Sequence, residues 1–185
     1  MKQHRHKILK KLFRFPEDVG FTFSVQDWFF KRVLRFNTKV KWPVHFTSSV
    51  GNPENIVRGK GVYPGDSAGT YINAKNGISI GDYTNMGPNV GLISANHDFY
   101  DNTKHVEAKP IKIGAHCWIG MGAIILPEVE LGDFTIVGAG SIVTQSFVEG
   151  YCVIVGNPAK VIRKLEREKC EAIRLTSQTS FPNSN

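Results

Sequence analysis

Residues 113–148 read IGAHCW-IGMGAI-ILPEVE-LGDFTI-VGAGSI-VTQSFV, six consecutive hexads that each open on an aliphatic residue. The second position is glycine in four of the six hexads, and the fifth is small or β-branched in five, with Phe147 as the exception. A period of six is not helical spacing, and self-similarity at a fixed short period is typical of a solenoid of stacked repeats. We therefore predict one short strand per hexad, with the aliphatic side chain pointing inward and the glycine beside it permitting a sharp corner.

The same six-residue frame extends toward the N-terminus with decreasing regularity. Hexads beginning at Ile80 and Met86 fit well. Before them only the first position obeys the pattern, at Val50, Ile56, Val62, Ala68 and Ala74. At three hexads per triangular coil, the repeats make a little over four coils of a parallel β-helix, enough to bury a continuous core.

The repeat is interrupted once. The frame breaks at Leu92 and resumes at Ile113, 21 residues later, which is three hexads plus three residues. The stretch 94–110 is therefore predicted to leave the wall as an excursion loop. Loops on rigid scaffolds often carry function, and this one contains Asn96-His97-Asp98.

The segments that flank the repeats have helical patterns. Ser24 followed by Asp27 predicts a helix N-cap, with a short amphipathic helix running on from Trp28. The predicted division of the chain is a basic N-terminal helical segment at 1–41, the β-helix domain at 42–160, a C-terminal helix at 161–177 and a polar tail at 178–185.

The positive charge of the chain is concentrated at one end. Residues 1–41 hold 11 lysine and arginine residues against three acidic ones, and residues 42–185 hold 12 against 13. A nucleic-acid binder usually spreads basic residues over a reading surface, so no nucleic-acid partner is expected. The start, 1–14, has six basic and no acidic residues. It could make peripheral contact with an anionic membrane, or form a packed or solvated helix.

Other features of composition bear on location. No aliphatic run reaches the length of a membrane span, and the basic start does not have the pattern of a signal peptide. Three scattered cysteines fit a reducing compartment. We therefore expect a cytoplasmic protein, at the inner face of the membrane if 1–14 binds lipid.

Over about residues 42–164 the chain resembles the hexapeptide-repeat acyltransferases. It is most similar to the branch that holds galactoside, maltose and xenobiotic acetyltransferases and the O-acetyltransferases of polysaccharide synthesis. The motifs that carry the resemblance are Trp42-Pro43-Val44-His45, Tyr71-Ile72-Asn73, Ile80-Gly81-Asp82, Gly87-Pro88-Asn89-Val90, Asn96-His97-Asp98, Cys117-Trp118-Ile119-Gly120, Val137-Gly138-Ala139-Gly140-Ser141 and Gly156-Asn157-Pro158-Ala159-Lys160. The resemblance implies a mainly β fold, a left-handed β-helix, assembled as a homotrimer with active sites between subunits. It also implies acetyl-CoA as acyl donor and no metal.

His97 is the candidate catalytic residue. An acceptor hydroxyl is a poor nucleophile at neutral pH, and a neutral imidazole can take its proton as it attacks a thioester. Asp98 or Asp101 could orient the imidazole, bind acceptor hydroxyls or only form a turn. His45, His105 and His116 are assigned structural roles by default.

The resemblance also assigns binding roles. Asn73, Asn96, Asp98 and Trp118 are candidates for the acceptor, although Asn73 could be structural and Trp118 could equally be an interface residue. The donor candidates are Ala123, Ser141, Asn157, Pro158, Ala159 and Lys160, with Arg163 or Lys164 also available for phosphates. The oxyanion of the tetrahedral intermediate is expected to bind a backbone amide near Ala123.

The predicted function is an acetyl-CoA-dependent O-acetyltransferase acting on a hydroxyl of a sugar or polysaccharide precursor. Alternatives in the same class are an N-acetyltransferase on an amino-sugar nucleotide and a serine O-acetyltransferase. A γ-class carbonic anhydrase needs two histidines five residues apart, and none of His45, His97, His105 and His116 has one. A non-catalytic ice-binding β-helix would show ranks of threonine, which is sparse in these hexads.

Overall fold

The computed structural model describes residues 2–13 and 15–180, so the last five residues of the predicted polar tail lie outside the described part. Two helices come first, then fourteen strands, then a third helix. In chain order these are α1 (Lys2–Phe13), α2 (Phe21–Arg32), β1 (Ser49–Gly51), β2 (Ile56–Arg58), β3 (Tyr71–Asn73), β4 (Ile78–Ile80), β5 (Asn85–Met86), β6 (Gly91–Ile93), β7 (Ile111–Ile113), β8 (Trp118–Ile119), β9 (Ile124–Ile125), β10 (Glu130–Leu131), β11 (Thr135–Val137), β12 (Ile142–Val143), β13 (Cys152–Gly156), β14 (Ala159–Lys164) and α3 (Arg167–Ser180).

The strands form a three-faced prism. Face A stacks β1-β3-β6-β9-β12, face B stacks β2-β4-β7-β10, and face C stacks β5-β8-β11-β13 with β14 at its edge. All neighbouring pairs are parallel except β13 with β14. The chain visits the faces in the order A, B, C and repeats, which is the predicted parallel β-helix.

The hexad pattern decides which side chains fill the prism. The first positions of the six regular hexads are 0–3% exposed, at Ile113, Ile119, Ile125, Leu131, Val137 and Val143. The fifth positions are equally buried, at Cys117, Ala123, Val129, Thr135 and Ser141. Phe147, the exception in the sequence, is only partly buried. This alternation confirms the predicted strand per hexad and buries one continuous core.

The second-position glycines have a different reason from the predicted one. Gly81 and Gly114 do not adopt positive φ. A Cβ at Gly81 would instead lie 2.5 Å from the backbone nitrogen of Ala115, and one at Gly114 would lie 2.5 Å from that of Asp133. Glycine is therefore required here by the close approach of successive coils rather than by the freedom to turn a corner.

The six-residue frame predicted before Ile80 is wrong in register. Val50 pairs with Ile72, so this coil is 22 residues long instead of 18. Ile72, and not the predicted Ala68, is the fully buried residue of this coil. In the coil below Ile80, Arg58 pairs with Ile80, whereas the predicted frame had put Val62, three hexads before Ile80, in that position. The additional residues extend the corner at 59–70, whose glycines 61, 65 and 69 adopt positive φ.

Helix α2 covers one end of the prism and begins earlier than predicted. Its N-cap is Gly20, and Ser24 lies inside the first turns, where its Oγ donates to the Gly20 carbonyl at 3.1 Å. The predicted Ser24 N-cap is therefore wrong, because the helix has already begun at Phe21, and Asp27 has a different role. Its carboxylate accepts from the Val44 amide at 2.9 Å, which fixes the helix on the chain entering the repeats.

The C-terminal helix begins later than predicted. Residues 161–164 belong to β14, which pairs antiparallel with β13, and α3 begins at Arg167. The open edge of face C offers unpaired backbone groups, and pairing with them outweighs the helical spacing of the apolar residues. Arg174 then holds α3 against the last coils through Asp133 at 2.7 Å. Within the described part of the chain, no helix is long and apolar enough to cross a membrane.

Candidate active site

The excursion loop at 94–110 leaves the prism, as predicted, and it does so at the edge between faces A and B. At its base Ser94 donates to the Asn73 carbonyl at 2.9 Å, and the Val106 amide donates to the Asn96 carbonyl at 3.0 Å. Asn76 ties the two arms together by donating to the carbonyls of Ser94 and Val106. The loop is therefore a hydrogen-bonded hairpin that can hold a side chain in a fixed position.

His97 lies on this hairpin with its ring in a defined orientation. Nδ1 is 2.5 Å from the carbonyl oxygen of Asn102. A carbonyl can only accept, so Nδ1 carries the proton and the neutral ring has its lone pair on Nε2. The side chain is exposed, and an exposed imidazole with an unprotonated Nε2 can act as a general base.

His105, assigned a structural role by default, faces His97 across the hairpin. The two ring centroids are 4.3 Å apart with an interplanar angle of 35°. Loss of solvent around the ring, followed by the positive charge of Lys75, lowers the pKa of His105, although its bond to the Asn96 backbone opposes this. The pairing of the two arms brings His105 beside His97, and the sequence alone does not show this pairing.

The two aspartates of the loop are engaged in turns. Asp98 Oδ1 accepts from the amides of Tyr100 at 2.8 Å and Asp101 at 3.0 Å. Asp101 binds Thr103 and pairs with Lys104 at 2.9 Å, and these hydrogen bonds hold its pKa below the usual value. Among the described residues, neither carboxylate contacts the imidazole of His97. The Asn102 carbonyl orients the ring instead, which residue types alone could not reveal.

The other acceptor candidates divide between two sides of the prism. Asn73 ends β3 beside the loop, with Oδ1 accepting from the Lys75 amide at 3.1 Å, and Asn96 is exposed on the loop itself. Trp118 lies on face C, 41% exposed, paired in register with Asn85. Face C is opposite the edge between A and B, so Trp118 and the base of the His97 loop lie on different sides of one subunit.

Three of the six donor candidates are closed off inside the chain. Ala123, Ser141 and Ala159 are 0–1% exposed, and Ser141 Oγ accepts from the Gly156 amide at 3.1 Å. The Ala123 amide donates to the Gly120 carbonyl at 3.1 Å, so it cannot also bind an oxyanion. The remaining three, Asn157, Pro158 and Lys160, are exposed at the edge of face C.

Sequence reasoning missed the corner made by Met121 and Ala139, between faces C and A. At the equivalent corner between B and C, the Ala115 amide is capped by Asp133 Oδ1 at 2.8 Å. Position 139 carries alanine instead of aspartate, and the amides of Met121 and Ala139 have no hydrogen-bond partner within 2–13 and 15–180. A Cβ at Gly140 would meet nothing within 4 Å, so this corner is open to a ligand. Aspartate at the third position of some hexads and its absence from others was the signal.

No metal site is visible at either location. In the described portion of the chain, no three histidine, cysteine, aspartate or glutamate side chains converge as a metal site requires. All three cysteines are unpaired.

Comparison with known proteins agrees with this fold. The family described as bacterial transferase hexapeptide (six repeats) matches residues 110–145. A Schizosaccharomyces pombe protein named as an acetyltransferase is 44% identical over 94 residues, covering 49% of this chain and 45% of that protein. One from Staphylococcus aureus (strain Mu50) is 38% identical over 117 residues, covering 62% and 57%. The chain thus spans about half the length of these relatives.

Two solved structures are similar at comparable identity. A maltose O-acetyltransferase from Clostridium difficile 630 is 33% identical, covers 64% of each chain and has a TM-score of 0.57. A galactoside acetyltransferase in complex with coenzyme A is 32% identical, covers 66% of this chain and 65% of that one, and has a TM-score of 0.57. Together with the three-faced prism of six-residue repeats, these similarities show that the chain shares the left-handed parallel β-helix fold of the hexapeptide-repeat acetyltransferases it resembles.

Proposed function

We propose that this protein is an acetyl-CoA-dependent O-acetyltransferase that acetylates a hydroxyl of a sugar or polysaccharide precursor. The observation that carries the proposal is the His97 imidazole, exposed on an ordered loop with Nδ1 committed to the Asn102 carbonyl. The similarity to a maltose and a galactoside acetyltransferase favours a sugar hydroxyl as the acceptor.

In the proposed reaction, His97 Nε2 takes the proton of the acceptor hydroxyl while the oxygen attacks the thioester carbonyl of acetyl-CoA. The carbonyl oxygen becomes an oxyanion in the tetrahedral intermediate. When this intermediate collapses, the carbon–sulfur bond breaks and the imidazolium returns its proton to the leaving thiolate. We assign Asn96 and the second carboxylate oxygen of Asp98 to neighbouring hydroxyls of the acceptor, together with Asn73 at the base of the same loop.

The donor fits the open corner and the adjacent edge of face C. We assign the Met121 amide, in place of that of Ala123, as the donor to the oxyanion. The Ala139 amide is assigned as the donor to an amide carbonyl of the pantetheine arm. Neither amide is capped by another group of the described chain. The small residues of this corner allow an extended arm to lie close to the backbone. Exposed Lys160 and Arg163 on β14 supply positive charge for the phosphates, beside Asn157 and Pro158. Ala123, Ser141 and Ala159 then form the wall beneath the donor.

We further propose a homotrimer with sites between subunits. The acceptor residues lie at the edge between faces A and B, whereas Trp118 and the donor corner lie on and beside face C. A site that uses both halves therefore needs a second copy. We place this assembly in the cytoplasm, because the three cysteines are unpaired and two of them are buried.

Thiol release from acetyl-CoA tests the function. Wild type is assayed against maltose, a galactoside, amino sugars and serine, which also separates the O-acetyltransferase from the N-acetyltransferase and serine alternatives. We expect a sugar to drive release and His97→Ala to lose about 10²- to 10⁴-fold in kcat. His116→Asn is the matched control, because His116 stacks on Phe134 at 4.8 Å away from the loop. Equal activity of His97→Ala and wild type would exclude His97 as the base.

Mixed oligomers test the shared site. His97→Ala and Trp118→Ala subunits carrying different tags are expressed together, and the doubly tagged species is purified. If each site takes His97 from one subunit and Trp118 from the next, every mixed trimer keeps one intact site, so about one third of the sites in the purified species are active. If each subunit holds a complete site, the mixture stays as inactive as the separate variants, and the shared site is wrong.

A further inference from the structure

Helix α2 turns its polar face toward the protein. Ser24, Asp27 and Lys31, spaced three and four residues apart, lie on the side that meets the prism. Ser24 is 2% exposed, Asp27 accepts from the Val44 amide, and Lys31 both pairs with Asp27 at 2.9 Å and donates to the Trp42 carbonyl. A surface helix normally directs all of its apolar residues inward, whereas α2 packs only some of them there, with Phe23 on His45 and Phe30 on Phe46.

The remaining apolar residues of α2 form a stripe that faces outward. Val25, Phe29 and Val33, spaced by four residues, are 40%, 44% and 54% exposed, and Trp28 beside them is 41% exposed. Phe36, just beyond the helix, is 55% exposed. A contiguous apolar surface of this kind on a protein marks a place where something else binds.

Helix α1 extends the same surface. The ring of Phe13 packs edge-on against Trp28, with centroids 6.2 Å apart, which joins the end of α1 to the stripe of α2. Ile8 and Leu12, one turn apart on α1, are 55% and 72% exposed. We call the exposed residues of these two helices, with the chain up to 41, the α1–α2 cap.

The charge of the cap identifies what covers it. Residues 1–41 carry 11 basic and three acidic side chains, a net charge of +8. Arg32, Arg35 and Lys41 line a groove of about 510 Å³ beside Trp28. Two copies meeting through this surface would bring like charges together, and residues 42–185, with 12 basic and 13 acidic residues, offer no compensating excess. An apolar stripe flanked by lysine and arginine is the composition that binds anionic lipid.

We propose that the α1–α2 cap docks on an anionic phospholipid bilayer, with the stripe of α2 inserted at the interface and the basic side chains among the phosphates. The prism then stands on the membrane by one end, which leaves the excursion loop and the donor corner on its sides. This proposal concerns a surface separate from the active site and holds whether or not the transferase assignment is correct.

Vesicle flotation of the full chain tests the proposal. Vesicles of phosphatidylcholine containing about 30% phosphatidylglycerol are compared with pure phosphatidylcholine. We expect wild type to float with the anionic vesicles alone and to be released by salt. Arg32→Gln/Arg35→Gln should weaken partitioning about fivefold per charge removed.

Phe29→Gln/Val33→Gln should weaken partitioning at least about tenfold, because both side chains leave the interface. Val57→Gln/Val148→Gln is the matched control, since these residues are 70% and 61% exposed elsewhere. Melting temperatures verify folding, and the arginine variant remains decisive if the apolar variant unfolds.

Two results overturn the proposal. Wild type that stays at the bottom of the gradient with anionic vesicles does not bind them, and equal flotation of the Phe29/Val33 variant and its control removes the stripe from the interaction. If wild type fails to float and the stripe variant has a smaller mass in solution, the surface covers a second copy instead.

Discussion

Replacing Ala139 by asparagine or aspartate tests whether the Met121 amide stabilises the oxyanion. The corner between faces B and C supplies the template, because there Asp133 accepts from the Ala115 amide at 2.8 Å, and Asp82 caps the Lys60 amide at 2.7 Å in the coil below. Either new side chain at 139 would cap the Met121 amide in the same way. The amide would then be unable to donate to a substrate oxygen.

The expected loss follows from the value of one oxyanion donor. Removing such a donor costs about 10²- to 10³-fold in kcat, or about 2.7 to 4 kcal/mol of transition-state stabilisation. The folded chain gains a hydrogen bond in exchange, so the melting temperature should stay level or rise. Loss of activity without loss of stability separates this effect from a packing defect.

The assay is thiol release from acetyl-CoA at saturating acceptor, with Ala139→Ser as the control, since serine is too short to reach the amide. Asparagine and aspartate should lose activity alike, because both can accept a hydrogen bond. Full kcat in both variants would refute the assignment of Met121. Loss in the aspartate variant alone would also refute it, because the cause would then be charge repulsion with the donor.

Two further predictions concern the scaffold. Gly81→Ala places a Cβ 2.5 Å from a backbone nitrogen of the next coil, and it should destabilise the fold by about 2 to 3 kcal/mol, or roughly 5 to 10 °C in melting temperature. Gly51→Ala is the control and should be tolerated, because the nearest atom to its Cβ is 3.4 Å away. Equal melting temperatures of the two variants would contradict the close-approach argument. Burial and then the charge of Arg174 lower the pKa of His116 in the folded chain. As pH drops from 7 to 5 the unfolded chain therefore protonates this histidine first, and the free energy of unfolding falls. The melting temperature of His116→Asn should differ less between pH 7 and pH 5 than that of wild type, and an unchanged difference would contradict this prediction.

The repeats made the fold predictable where the hexads are regular. From Ile80 onward each hexad supplies its own inward residue, so period and burial agree residue by residue. Before Ile80 the first-position rule still finds buried residues, but it misses the longer corner at 59–70, because corner length leaves no mark on the aliphatic spacing. The predicted helix boundaries were wrong for a related reason. Ser24 carries a capping side chain, yet the fold uses it inside the helix.

The candidate site divides in the same way. His97 could be found from sequence because a loop that interrupts a strict repeat is visible as a lost frame. Its orienting partner could not, because it is the carbonyl of Asn102, and every residue has a carbonyl. The uncapped Met121 amide is an intermediate case, because the sequence contained the signal for it although it was not used. In a solenoid each coil repeats the hydrogen bonds of the last, so an aspartate that caps an amide at one corner and is absent from another identifies an amide left uncapped. Reading third positions across coils would have found it, since Asp133 and Ala139 occupy the same place in successive hexads. The departures from a repeat therefore carry as much functional information as the repeat carries about the fold.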